Sequence, residues 1–287
     1  MTRQPVVARR VEELLGHAVV STAPVAGGDI ATATKVRLSD GTVALVKTLA
    51  NPPADFFESE ARALRWLAEP APAGGVPVAE VLAAAPDCLV LRWVEQGRST
   101  PDAAAAFGRS LAATHAAAPS SYGLDRDGFI GRLPLPNRTA GTWAEFYATR
   151  RVLPYLKVAA DRGAATPEDV AAVEKVVGRL PDLVPEEGPA RIHGDLWNGN
   201  VLWGVDGACH LVDPAAHGGH RETDLAMLAL FGLPHLGKVL DAYQDATPLA
   251  DGWEDRVGLH QLHPLLVHAC LFGGGYGARA ADVARRY

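Results

Sequence analysis

The pattern of hydrophobic and polar positions changes character near Thr100. Before Thr100, short runs rich in β-branched residues predict strands, and Gly27-Gly28 and Asp40-Gly41 mark the turns between the first three. We expect a five-stranded antiparallel sheet with one helix inserted after its third strand. The predicted elements are a leading helix from Arg3 to Gly16, strands at 17–28, 30–38 and 42–49, a helix at 54–69, and strands at Val76–Ala83 and Cys88–Val94.

Beyond Thr100 the chain is predicted to be mostly helical. Thr100, Thr142 and Thr166 stand where helix N-caps are expected, before a proline or at capping-box spacing. The exception is the stretch from Ala190 to Asp213, where three short strand-like runs are joined by tight turns. We predict an α+β protein of two lobes, a sheet lobe at residues 1–94 and a larger helical lobe at 95–287. A cleft between two lobes is a natural place for a nucleotide.

The composition excludes several classes of protein. The 287 residues are 48% hydrophobic and 21% charged, which argues against wholesale disorder. A net charge of −6 argues against nucleic acid or an anionic membrane as the main partner. The three cysteines are isolated, the N-terminus has no signal-peptide core, and no uncharged apolar run approaches the ~20 residues that span a bilayer. We therefore expect a cytoplasmic protein without a nucleic-acid or membrane partner.

The segment HGDLWNGN, from His193 to Asn200, carries the sharpest chemical signal. Phosphoryl transfer needs a carboxylate near the acceptor hydroxyl and hard oxygen ligands for Mg²⁺. Asp195, Asn200 five residues later, and Asp213 at the end of the next strand-like run supply these groups at the spacing of a kinase-type catalytic loop. Asn, Gly and Asp also form ordinary solvated turns. The strand-like runs on both sides favour the catalytic interpretation.

Two features of the predicted sheet lobe support the same chemistry. Lys47 interrupts an apolar strand, and Glu60 lies on the following helix, where kinase-like folds pair a lysine that binds nucleotide phosphates with a glutamate. The alternatives are an edge-strand lysine and a solvated helix face, with Glu58 as a competing partner. Gly27 and Gly28 form a candidate phosphate-covering turn, because glycine lets backbone N–H groups approach phosphate closely. Most such glycines only form turns, so the position of this one carries the argument.

Several motifs together resemble the fructosamine kinase family, the ketosamine 3-kinases. They are GGDI, the E-A-x-x-L-x-x-L run of Glu60–Leu67, HGDLWNGNVLW, VDPAAHGGHRETDLAM and WAEFYATRRVLPYL. The resemblance runs from about Val11 to Tyr276, nearly the whole chain. It implies the two-lobed fold that protein kinases share with aminoglycoside phosphotransferases.

The resemblance implies ATP-dependent phosphorylation of the 3-hydroxyl of a ketosamine, which leads to deglycation of the amine. ATP and Mg²⁺ would be the cofactors, and the acceptor a small-molecule or protein-bound ketosamine. Carried over to this sequence, Asp195 is the base, and Asn200 and Asp213 bind magnesium. Lys47 and Glu60 form the ion pair between strand and helix. The backbone of Arg92, Trp93 and Val94 would contact adenine.

Further residues are expected around the acceptor. Trp197 offers a flat surface for the sugar, with core packing as the alternative. Expected polar contacts come from His220, Arg221 and Glu222, ahead of a helix that begins at Asp224, and from Arg151 on the other side; the alternative is a solvated helix start. Asp224 is expected to accept backbone N–H bonds near His193 and Gly194 and to support the catalytic loop.

The sequence departs from the family pattern at three points. Ala31 stands where relatives usually carry Ser or Asn, Arg92 replaces an acidic residue, and the phosphate-covering turn has no cysteine. Two other functions stay open at this point. One is a phosphotransferase for another hydroxylated amine such as an aminoglycoside. The other is a catalytically silent nucleotide-binding protein, which the presence of Lys47, Asp195, Asn200 and Asp213 disfavours.

Overall fold

The structure, a computed structural model, describes residues 4–26 and 30–287. Gly27, Gly28 and Arg3 therefore lie outside the described residues, and with them the candidate phosphate-covering turn. The first part of the chain forms an antiparallel five-stranded sheet, as predicted. Its elements are α1 (Gln4–Leu15), β1 (Val19–Val25), β2 (Thr32–Leu38), β3 (Val43–Thr48), α2 (Phe56–Ala68), β4 (Val81–Ala85) and β5 (Cys88–Arg92). The strand order in the sheet is β1-β2-β3-β5-β4.

Helices α1 and α2 cover opposite faces of this sheet. Val46 on β3 belongs to the core that Val11 of α1 shares with the sheet. Leu45 packs instead into the core of α2, around Phe57 and Leu64. Because successive side chains of a strand point to opposite faces, Lys47 shares the α2 face with Leu45. The alternation of side chains along β3 thus places the charged side chain of Lys47 on the sheet face that α2 covers.

The predicted strand at Val76–Ala83 is displaced to Val81–Ala85 in the structure. The preceding segment does have extended pairing, but with the helical part of the chain. The Ala79 amide donates to the carbonyl of Leu211 at 3.0 Å, and the Leu211 amide donates to the carbonyl of Pro77 at 2.9 Å. Pro77 has no N–H to contribute to a sheet ladder. The segment therefore connects the sheet to the region of the predicted catalytic loop.

The rest of the chain is mostly helical, with three two-stranded ribbons. Thr100, Thr142 and Thr166 all accept a backbone N–H bond as helix N-caps, and the reciprocal capping box occurs at Thr166. The ribbon formed by Gly128–Ile130 and Leu133–Leu135 and the strand at His217–Gly219 were not predicted. The elements are α3 (Pro101–Ala116), β6 (Gly128–Ile130), β7 (Leu133–Leu135), α4 (Trp143–Phe146), a π-helical turn (Tyr147–Val152), α5 (Leu153–Asp161), α6 (Pro167–Val177), α7 (Leu180–Leu183), β8 (Ala190–Ile192), β9 (Val201–Trp203), β10 (Cys209–Leu211), β11 (His217–Gly219), α8 (Arg221–Phe231), α9 (Leu236–Ala246), α10 (Trp253–Phe272) and α11 (Tyr276–Ala284).

The largest hydrophobic core lies within the helical part, around α5, α6, α10 and α11. The division of the chain at residues 1–94 and 95–287 remains a prediction. Among the described residues, no helix combines the length and the apolar character needed to cross a membrane.

Buried imidazoles make the stability of this helical part sensitive to acid. Burial lowers the pKa of His193, His217, His220, His260 and His263. An unfolded histidine binds a proton below a pKa of ~6.5, so each neutral buried imidazole stabilises the fold above that pH, and the contribution declines as the pH falls. We predict that the melting temperature falls continuously from pH 7.5 to pH 5.5. A melting temperature that is constant over this range would contradict the assignment of these rings as neutral.

Candidate active site

Lys47 forms an ion-pair cluster at the junction of sheet and helices. Its Nζ donates to both carboxylate oxygens of Glu60, at 2.6 and 2.8 Å, and to Oδ1 of Asp213 at 2.9 Å. Burial would lower the pKa of Lys47, but the two carboxylates outweigh it and hold the pKa above its ordinary value. One carboxylate oxygen of Glu58 is buried and accepts no hydrogen bond from any residue that the structure describes. Of the two glutamates proposed from the sequence, Glu60 is the one that contacts Lys47.

Asp195, Asn200 and Asp213 come together beside this cluster. Nδ2 of Asn200 donates to the carbonyl of Asp195 at 2.8 Å, to Oδ2 of Asp195 at 3.2 Å and to the carbonyl of Asp213 at 3.4 Å. Burial, together with the negative charge of Asp213, raises the pKa of Asp195 to about 7. The arrangement places a carboxylate that can accept a proton next to two oxygen-bearing side chains.

Two unusual backbone conformations shape the loop that holds these residues. Gly194 has φ of 78°, and a Cβ there would lie 2.3 Å from the carbonyl oxygen of Ala215, so only glycine fits. Asp213 has φ of 53°, a left-handed conformation that non-glycine residues adopt at some energetic cost. Strain of this kind is concentrated at functional sites.

The carboxylate of Asp224 bonds the backbone of the candidate catalytic loop, residues 193–200, from the protein interior. It is fully buried and accepts the backbone N–H of His193 at 2.7 Å, that of Gly194 at 2.9 Å, and Nε2 of His115 at 3.2 Å. Burial would raise the pKa of Asp224, but these donors outweigh it and the pKa lies below its ordinary value. The bonds that the sequence led us to expect at His193 and Gly194 are present. His115 and its partner Tyr243, at 2.8 Å, were not predicted as part of this network, because helical spacing marked His115 only as packed.

The side chain of His193 also holds the loop together. Its Nδ1 accepts the N–H of Asp195 at 3.2 Å, and its Nε2 lies 2.9 Å from the carbonyl of Val212. These contacts require a neutral ring protonated on Nε2, and burial lowers the pKa of His193 in agreement. His193 thereby joins the segment of Asp195 to the segment of Asp213.

The structure does not place His220, Arg221 and Glu222 at the cavity, contrary to expectation. Helix α8 begins at Arg221 rather than Asp224, so these residues form its N-cap and first turn and face the helical core. His220 is buried and accepts the N–H of Glu222. Arg221 donates to both carboxylate oxygens of Glu187 at 2.9 and 2.7 Å. The core, not a substrate, supplies their polar partners.

Glu222 lies in a buried polar network with His220, His260 and Arg256. Burial opposes ionisation of Glu222, but the imidazole of His260, whose Nε2 is 3.2 Å from Oε2, and the bonds from Arg256 outweigh it and lower the pKa of Glu222 to about 2. The two imidazoles and the carboxylate are close enough together to suggest a metal site. Arg256 donates to both oxygens of that carboxylate at 3.0 and 2.6 Å and already balances its charge. A cation there would be repelled by the guanidinium, so we interpret the network as structural.

Arg151 is likewise behind the cavity wall and not in it. It is 1% exposed, in the π-helical turn, and burial lowers its pKa to about 10. Its guanidinium donates to Oδ1 of Asn137 at 2.6 Å and to the carbonyl of Pro136 at 2.5 Å. Arg151 is therefore not placed to contact a substrate directly, as the sequence led us to expect, and bonds instead to Asn137, which does line the cavity.

A cavity of about 720 Å³ joins the ion-pair cluster to the catalytic loop. Ala26 and Ile30, which flank the glycine turn predicted at Gly27 and Gly28, line this cavity, and Ala31 is part of its wall. Trp197 is 38% exposed there, which excludes core packing as its role. Phe231 contacts the Trp197 ring at 5.9 Å between centroids and the His268 ring at 4.9 Å. His268 and Phe272 of α10 continue this wall, and no motif in the sequence had marked them.

The segment after β5 lies at the opposite end of the cavity. The amides of Arg92 and Trp93 donate to the carbonyls of Glu80 and Val43, at 2.8 and 3.0 Å. The amide of Val94 donates to no acceptor in the part of the chain that the structure describes. The side chain of Arg92 turns outward to bond with Glu80. Val94 thus offers the free backbone donor that the expected adenine contact requires.

Comparisons with known proteins identify a family and a fold for this chain. A family model described as Fructosamine kinase matches residues 4–287. A protein of Thermus thermophilus named Probable ketoamine kinase is 37% identical over 254 residues, 88% of each chain. The crystal structure of a candidate fructosamine-3-kinase from Thermobifida fusca is 51% identical, covers 97% of each chain and superposes with a TM-score of 0.91. A type I macrolide 2'-phosphotransferase, 18% identical with a TM-score of 0.61, covers 100% of this chain and 97% of its own and shares the fold alone, which confirms the kinase-like fold class.

The role of Asp224 leads to a stability prediction. Asp224→Ala leaves the buried N–H groups of His193 and Gly194 without an acceptor, which costs on the order of 3 kcal/mol. We expect a fall of about 5–10 °C in melting temperature. Asp241→Ala, at an exposed position of α9, is the control and is expected to melt like the unaltered protein. Equal melting temperatures for the two variants would show that Asp224 does not hold the loop.

Proposed function

The chain belongs to the fructosamine kinase family, and on that premise we propose that it transfers the γ-phosphoryl group of ATP to the 3-hydroxyl of a ketosamine. The observation that carries the proposal is the convergence of Lys47, Asp195, Asn200 and Asp213 on one cavity whose wall includes Trp197. The phosphorylated carbon 3 is adjacent to the carbonyl at carbon 2 of the ketosamine. After enolisation toward carbon 1, the group on carbon 3 leaves as inorganic phosphate, and hydrolysis of the resulting imine at carbon 1 releases the free amine.

The nucleotide is held at the sheet end of the cavity. The free amide of Val94 and the carbonyl of Arg92 would bond the adenine edge, which needs no acidic side chain at position 92. Lys47 supplies a positive charge for the phosphates, and Glu60 fixes its position. Catalysis of phosphoryl transfer rests mainly on such positioning and on charge stabilisation.

Asn200 and Asp213 fit the magnesium ion that phosphoryl transfer commonly uses. The amide nitrogen of Asn200 is committed to Asp195 and Asp213, which leaves its Oδ1 as the available atom. The Asp213 side chain is 46% exposed and borders the cavity, with one oxygen bonded by Lys47. Magnesium prefers hard oxygen ligands of this kind. When bound, the ion would offset the negative charge of the polyphosphate.

Asp195 acts on the acceptor. Its pKa, raised to about 7 by burial and by Asp213, suits a group that takes a proton from a hydroxyl near neutral pH. The bond from Asn200 to Oδ2 fixes the carboxylate, so that Oδ1 can meet the hydroxyl that attacks phosphorus. The proton of that hydroxyl passes to Asp195 as the new P–O bond forms and the bond from the γ-phosphorus to the bridging oxygen breaks, which releases ADP.

The aromatic side chains of Trp197, His268 and Phe272, which line the cavity, would bind the acceptor. The apolar face of a sugar packs on flat rings such as Trp197, and a protonated amine is attracted to an aromatic face. Trp197 and Phe272, 38% and 51% exposed, provide that surface next to Asp195. The three buried free cysteines fit the reducing cytoplasm, where we propose that the reaction takes place.

Turnover with a panel of acceptors tests the proposal. ATP consumption is measured with fructosamine, ribulosamine and erythrulosamine derivatives and with aminoglycosides, each with Mg²⁺. We expect turnover of at least one ketosamine and none of the aminoglycosides. Turnover of aminoglycosides alone, or ATP binding without turnover of any acceptor, would contradict the proposal.

Substitutions of Asp195 and Asp213 are predicted to affect different kinetic properties. Asp195→Asn should lower kcat by ~10²–10⁴-fold and leave the affinity for Mg·ATP unchanged, because Asp195 acts on the acceptor. Asp213→Ala should weaken Mg·ATP binding itself. Steady-state kinetics and calorimetric titration separate the two. Retention by Asp195→Asn of more than about a hundredth of the rate would refute its role as the base.

A further inference from the structure

The ribbon β6–β7 belongs to two hydrophobic cores at once. On one face, Phe129 packs at 5.1 Å between ring centroids against Phe56, the first residue of α2. On the other face, Ile130, Leu133 and Leu135 are buried in the large core of the helical part. Because strand side chains alternate between faces, this short ribbon connects α2 to the body that carries the acceptor wall.

The first turn of helix α2 has no side-chain N-cap bond. Asp55, at the N-cap position, has φ of 65°, and its carboxylate pairs with the guanidinium of Arg62, further along the helix, instead of capping a backbone N–H. Packing of Phe56 and Phe57 therefore contributes to the position of the first turn. Glu60 lies four residues after Phe56, so the two are neighbours on one helix face. A shift of Phe56 would carry Glu60 with it, away from Lys47.

The ribbon itself is firmly anchored at its base. Arg151 donates to the carbonyl of Pro136, and Tyr155 donates through its hydroxyl to the carbonyl of Pro134 at 2.7 Å. At its tip, Arg132 donates to the carbonyl of Ile30 at 3.3 Å, directly after the glycine turn. Arg151, expected from the sequence to bind substrate, thus has a different task. It holds the ribbon that reaches the nucleotide end of the cavity.

We propose that Phe129 is a positioning residue for phosphoryl transfer, acting through Phe56 to hold Glu60 against Lys47. The inference rests on the proposed function, since it concerns the affinity for Mg·ATP. According to this inference, the position of the phosphate-binding pair Lys47 and Glu60 depends on the ribbon β6–β7, which is anchored in the helical part of the chain. Phe129 also borders the cavity, so a direct contact with nucleotide has to be distinguished from an effect through Glu60.

A double-mutant cycle makes this distinction. The dissociation constant of Mg·ATP is measured by calorimetry for the unaltered protein, Phe129→Ala, Glu60→Gln and the double variant. We expect each single change to weaken binding about tenfold, and the double variant to be within about twofold of Glu60→Gln, because both act on one ion pair. Phe129→Leu, which keeps an apolar contact with Phe56, should restore most of the affinity. Leu180→Ala, buried in the helical core away from the cavity, controls for a general loss of stability and should bind Mg·ATP normally.

Each outcome decides for or against the inference. Additive losses in the double variant would overturn it, because they would mean that Phe129 acts independently of Glu60. So would normal binding by Phe129→Ala, or equal weakening in Leu180→Ala. If Phe129→Ala does not fold, Phe129→Val takes its place in the same cycle. Failure of the unaltered protein to bind Mg·ATP would overturn the proposed function as well, whereas additivity overturns only the role of Phe129.

Discussion

One buried ammonium group, Nζ of Lys47, joins the three segments on which the site depends. It binds Glu60 on α2 and Asp213 on the loop after β10, so strand β3, helix α2 and the catalytic loop meet at one atom. Loss of either carboxylate would leave the ammonium group of Lys47 with one partner fewer and less compensation for its charge. The cluster therefore constrains the relative positions of sheet and loop. The proposed position of the nucleotide phosphates depends on that constraint.

A second buried charge gives the loop its shape. Asp224 accepts the amides of His193 and Gly194, and His193 in turn bonds the segments of Asp195 and Asp213. Neither contact touches the cavity. Both contacts orient Asp195 and Asn200, which do line the cavity. The positions of these two side chains therefore depend on buried groups in the interior of the protein.

The sequence predicted the parts of the site that local pattern and motif spacing encode. The strand alternation around Lys47, the helical position of Glu60 and the spacing from Asp195 to Asn200 all describe the structure well. Charged residues at the start of α8 could not be assigned in this way, because their partners Glu187 and Arg256 are 34 residues away along the chain. The strands β6 and β7 are too short to show an alternation of hydrophobic and polar residues in the sequence. Phe272 lines the cavity only because of tertiary packing, which no local sequence pattern indicates. The strand residues near Val78 were recognised, but their partner strand was not.

The proposed function is tested most directly by the position of the transferred phosphate. A ketosamine is incubated with the protein, Mg²⁺ and ATP, and the product is examined by ³¹P–¹H correlation NMR spectroscopy before and after it decomposes. We predict a phosphorus coupled to the proton on carbon 3 of the sugar, followed by release of the free amine. Phosphate on a different hydroxyl, or inorganic phosphate formed without a phosphorylated sugar, would contradict the placement of the acceptor between Trp197 and Asp195.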